Sequence, residues 1–99
     1  MSSEQTTVAQ PGPEAGRDRD ARDVRSGWWV HLADTNGAAR WRLVADVQFP
    51  RAAASGMKRL IVCADGVEAE RGAREQVRAL NLIALRKLGL EKVDPGTLA

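Results

Sequence analysis

Four side chains in one short stretch, Trp29, His31, Arg40 and Arg42, are the residues of this chain best suited to recognition chemistry. A guanidinium carries charge and a planar set of N–H donors that match phosphate oxygens or a guanine edge. An indole offers a flat face on which an unpaired base or a sugar ring stacks. Gathered on one side of a sheet, the four make a basic, aromatic surface for nucleic acid, with Val44, Asp46 and Gln48 further along it.

Groups that could do covalent or acid–base work are sparse. A thiol nucleophile at Cys63 would need His31 beside it and a third group to orient the imidazole, whereas a free cysteine in an apolar run is ordinarily core. Asp46 and Asp65 stand as isolated carboxylates, and Gly66 and Gly72 lack the spacing and the lysine of a phosphate-binding loop. With one Cys and one His, the chain has no means of forming an intrachain disulfide or a multi-cysteine zinc site. No catalytic residue, metal ligand or cofactor is expected.

A hairpin must position the four recognition residues. Asn36-Gly37 is a strong hairpin signal, because a two-residue type I′ turn needs positive φ at both central positions. Placing the turn there sets Thr35 opposite Ala38, Leu32 opposite Trp41, Val30 opposite Leu43 and Trp28 opposite Ala45. Period-2 alternation assigns Trp28, Val30, Leu32, Trp41, Leu43 and Ala45 to a buried face. It assigns Trp29, His31, Arg40, Arg42 and Val44 to an open one. Pro50 and Gly56 then fit the start and end of a short helical turn, with a surface loop as the alternative. The β-branched run Lys58–Ala64 predicts a third strand, of ambiguous facing.

Asp65 followed by Glu68 resembles a helix capping pair, and the helix it would open runs to about Leu88. Arg86 and Lys87 lie in its last turn and Gly89 suits the position just past its end. Ala69, Ala73, Val77, Leu80, Ala84 and Leu88 form a stripe that would pack on the hairpin. Leu82 and Leu85 fall on the opposite side and, with Leu90, predict a second apolar patch for a partner or a second copy.

Residues 1–24 carry few large apolar side chains, so they read as a disordered acidic tail: three Arg against five Asp or Glu, net −2. Residues 25–92 carry twelve Lys or Arg against seven acids, net +5, and form the single foldable unit. Residues 93–99 read as a flexible C-terminus. No apolar stretch approaches the length of a membrane span or a leader, which predicts a soluble cytoplasmic protein with no membrane contact. The expected fold is α+β: a small antiparallel sheet, a hairpin plus a third strand, packed on one long C-terminal helix. The expected function is a non-catalytic module that binds nucleic acid through Trp29, His31, Arg40 and Arg42. The alternative is a protein-interaction module that homodimerises or docks a partner through Leu82, Leu85 and Leu90.

Overall fold

The computed structural model describes residues 10–34, 36–50 and 58–98. The described residues form six strands: β1 (Arg17–Asp20), β2 (Trp29–Ala33), β3 (Ala39–Gln48), β4 (Lys58–Cys63), β5 (Glu68–Gly72) and β6 (Gln76–Leu80). One short helix, α1 (Leu82–Lys87), follows β6, and 3-10 turns occupy Pro13–Ala15, Ala21–Asp23 and Pro95–Thr97. All strand pairs are antiparallel, in the order β1-β6-β2-β3-β4-β5. The expected sheet on a long helix is therefore not the architecture. Most of the segment predicted to be that helix, from Asp65 to Leu80, is a turn, a strand, a second turn and another strand.

Both periodicities were compatible with that segment. Ala69, Ala73 and Val77 are four residues apart, which satisfies a helical stripe and also the even spacing of one strand face. The deciding signal is Asp65-Gly66, itself a hairpin dipeptide. Gly66 takes φ +93, a conformation open to glycine but costly for other residues, and Asp65 Oδ1 accepts the Val67 N–H at 3.1 Å. Asp65 thus closes a turn and does not cap a helix. After β6, Asn81 caps α1, its side chain accepting the Ala84 N–H. The expected end of the helix stands. Leu90 N–H donates to Leu85 O and Gly89 N–H to Arg86 O, a Schellman closure with Leu85 and Leu90 in apolar contact.

The first hairpin forms at Asn36-Gly37, but its register differs by one residue from the expected one. Trp29 pairs with Leu43, His31 with Trp41 and Ala33 with Ala39, leaving a three-residue loop, 35–37, beyond the Asp34–Ala38 pair. Gly37 has φ +85, while no described non-glycine residue has positive φ, so Asn36 does not take the conformation a type I′ turn requires. Asp34 favours the wider loop: its Oδ1 accepts the N–H groups of Asn36 (2.8 Å) and Ala38 (3.0 Å). Because side chains alternate with period 2, the slip reverses the facing of β3 relative to β2. Trp29, His31 and Trp41 share one side of the sheet; Val30, Leu32 and Arg42 share the other.

Each side carries a core. Val24, Val30, Leu32, Val44, Ile61, Cys63, Val77 and Ala79 pack together on one, and Trp29, Trp41, Leu80, Leu85 and Leu90 on the other. A bulge between Val44 and Asp46 changes the phase of β3, so Val44 and Val47 both serve the first core. The third strand lies where predicted, and its facing is settled by Ile61 and Cys63, which are buried.

Residues 10–24 are not a disordered tail. β1 completes the sheet against β6, and Ala21 and Val24 are buried. Gln10 bridges the two ends of the chain, donating to Pro95 O (2.9 Å) and accepting from Trp41 N–H (3.3 Å). Trp41 Nε1 donates to Pro11 O at 2.8 Å. The C-terminal segment is likewise part of the fold: Pro95 is buried, and Val93 and Leu98 pack on the second core. The signal missed here was polar, since these segments are held by hydrogen bonds and a sheet ladder more than by large apolar groups. The first nine residues, and the turn expected from Pro50 to Gly56 apart from Pro50 itself, lie outside the described residues.

Candidate functional site

The reversal of β3 dismantles the expected nucleic-acid surface. Trp29 is 1 % exposed, beneath α1 and the C-terminal segment, and Arg42 is 5 % exposed on the opposite side of the sheet. His31 is half-buried and meets Trp41 edge-on, with ring centroids 5.1 Å apart at 76°. Arg40, also half-buried, donates to Pro95 O at 3.2 Å. The four residues do not form one open face.

Arg42 is instead a clamp between two turns. Its Nε donates to Leu32 O (3.2 Å) and its Nη2 to Ala38 O (3.4 Å). Its Nη1 is bonded to Asp65 in the β4–β5 turn, and Nη2 lies 3.9 Å from Asp34 in the β2–β3 turn. These turns have the same build, each a three-residue loop ending on a positive-φ glycine, Gly37 or Gly66. One cation therefore neutralises both turn aspartates and satisfies two backbone carbonyls.

The remaining titratable groups near the cores are shielded. Burial, then the charges of Arg42 and Arg78, hold the His31 imidazole below its ordinary value of 6.5. Burial first, and Asp65 second, push the Cys63 thiol up to about 11, which keeps it protonated and unreactive near neutrality. Among the described residues no group of three or more His, Cys, Asp or Glu side chains is placed to hold a metal ion. No described helix is long and apolar enough to cross a membrane.

The expected partner patch is also rearranged. Leu85 is fully buried and Leu90 is 8 % exposed, both in the core with Trp29 and Trp41; only Leu82 remains at the surface. The physical reason is phase. A helix running unbroken from Asp65 would turn Leu88 inward and Leu85 outward, but α1 starts afresh at the end of a strand. Its orientation is set by that exit, and Leu85 points in.

The side of α1 left outward forms the site. A groove of about 390 Å³ runs between α1 and edge strand β1, lined by Arg17, Arg19 and Lys87 with Ile83, Ala84 and Leu88. Ile83 is 62 % exposed and Leu88 48 %. The cations line up because β1 alternates charge: Arg17 and Arg19 share one face, opposite Ala79 and Val77, while Asp18 and Asp20 share the other. Both aspartates are partnered, Asp18 with Arg78 (3.2 Å) and Asp20 with Arg22 (3.5 Å) and the Gln76 amide. Among the described residues, no ion pair engages Arg17, Arg19 or Lys87. Sequence reasoning missed these cations because two of them lay in the presumed tail; the strict Arg-Asp-Arg-Asp alternation was the available signal.

A second exposed feature lies where β3 ends. Phe49 is 66 % exposed, with the Arg59 guanidinium carbon 4.3 Å from its ring centroid. Comparison of the chain with protein-family models, with curated proteins and with solved structures finds no match.

Proposed function

We propose that this protein is a non-catalytic protein-interaction module whose docking site is the groove between β1 and α1. One observation carries the reading: three cations with no carboxylate partner among the described residues line one groove with exposed Ile83 and Leu88. Apolar contact supplies most of the affinity at such a site and charge selects the partner. The complementary ligand is an acidic segment of another protein that also carries an apolar side chain. The nucleic-acid reading is supported less well, because Trp29 and Arg42 are buried and a sugar-phosphate backbone makes no use of the apolar floor of the groove.

The test is a titration of the isotope-labelled full chain, followed by amide NMR. The probes are a Glu- and Leu-containing peptide and, separately, a single-stranded oligonucleotide. The peptide is expected to shift Arg17, Arg19, Ile83, Lys87 and Leu88, and Lys87→Glu to weaken it. Tighter oligonucleotide binding at the same residues, falling steeply with added salt, would replace this reading with the nucleic-acid one.

A further inference from the structure

We infer that the segment taken by the groove is extended, adds to the sheet as a further strand on β1, and presents carboxylates at alternate positions to Arg17 and Arg19. The inference rests on the docking site proposed above and specifies its ligand. Among the described residues β1 is a terminal strand paired only with β6, so one row of its backbone groups faces away from the sheet. Among the described residues no other backbone hydrogen bond reaches that row. An unpaired edge of this kind is a template for another chain, with ladder bonds supplying affinity and alternate side chains supplying specificity.

The charge pattern selects which chain. Among the described residues Asp18 and Asp20 have cationic partners, whereas Arg17 and Arg19 have no ion pair, so β1 offers positive charge on one face only. A second copy of the strand fits poorly. Two identical antiparallel edges joined about a two-fold axis perpendicular to the sheet must pair residues of the same parity, because directly opposite side chains point to the same face. Either Arg17 lies opposite Arg19 with Asp18 opposite its own copy, or Arg19 lies opposite its own copy with Asp18 opposite Asp20. Like charges placed directly opposite destabilise a pair. The alternation therefore opposes self-pairing and accepts a foreign strand with an acid at every second residue. Beside that strand, Ile83 and Leu88 receive an apolar residue at its end.

The full chain is titrated with three peptides: one alternating Glu and Thr and ending in Leu, one of the same composition with its Glu residues four apart, and an alternating peptide N-methylated along its bonding edge. The alternating peptide is expected to bind about tenfold tighter than the four-apart peptide and to slow hydrogen exchange of amides within Arg17–Asp20. N-methylation is expected to cost about tenfold or more, since it leaves the charges and removes the ladder donors. Arg17→Glu combined with Arg19→Glu is expected to switch the preference to an alternating Lys and Thr peptide, a gain that a misfolded variant would not show. Equal binding of the two unmethylated peptides at the groove, without protection of β1, overturns strand addition and leaves the docking site standing. Failure of every peptide to bind overturns both.

Discussion

Arg42 and Arg17 are the same side chain on strands of the same sheet, and their surroundings give them opposite roles. Arg42 is enclosed between two turns, with two carboxylates and two carbonyls around it. Arg17 lies at an edge beside exposed Ile83 and Leu88, with no ion pair among the described residues. A cation whose partners are all internal holds the fold; one whose partners are absent is available to something else. Residue type alone pointed to Arg42 as the recognition residue, and its neighbours assign it to structure.

Substitutions that empty the interior sharpen the contrast most. Trp41→Ala removes a buried indole, its bond to Pro11 and its contacts with His31, and is expected to cost roughly 3–5 kcal/mol in chemical denaturation. A loss near zero would mean that the second core does not depend on Trp41. Arg42→Ala leaves the Leu32 and Ala38 carbonyls unpaired and two aspartates without their cation, an expected loss of roughly 2–4 kcal/mol. The lower part of that range allows for Asp65 being 40 % exposed, which screens the pair. Gly37→Ala places a Cβ at φ +85 and is expected to cost about 1–2 kcal/mol in the same assay.

The pH dependence comes from groups inside the fold. His31 has a lowered pKa when folded, so the unfolded chain takes up the proton first. Stability is therefore lost as pH falls below 6.5 toward the folded value, and His31→Gln should flatten that limb of a melting-temperature profile. Cys63 titrates the other way: its stabilising contribution is lost as pH rises from 9.0 toward about 11, and Cys63→Ala should remove that limb. The smallest effect is expected at the groove. Arg17→Glu with Arg19→Glu should leave stability within about 0.5 kcal/mol while altering binding. A loss as large as that of Arg42→Ala would show that the edge cations are structural and would erase the comparison.

Local chemistry was legible at three places where neighbours in sequence decide the outcome, though not at Asp65-Gly66, whose turn was expected to be a helix cap. The hairpin at Asn36-Gly37, the strand beginning at Lys58, and the end of α1 at Arg86, Lys87 and Gly89 all follow from turn residues, β-branched runs and capping. The register was not legible. It depends on whether the loop holds two residues or three, a choice tipped by two hydrogen bonds to Asp34, and one residue of slip moves Trp29 and Arg42 from the predicted open face to opposite interiors.

The segment Glu68–Leu80 shows the other limit. Its spacing suits a helix and a strand alike, and the strand prevails because β4 and β2 offer ladders that the isolated segment lacks. The same holds for β1, whose alternating charges bury little apolar surface but complete the edge of a sheet. The sequence by itself determined the site of the first hairpin, the strand from Lys58, the closing end of α1 and the alternation that sorts Arg17 and Arg19 from Asp18 and Asp20. Only the tertiary structure decided which side of each strand meets a core, and hence which cations remain outside. Facing is a long-range property, fixed by pairing partners as far apart in the chain as Arg17 and Ala79.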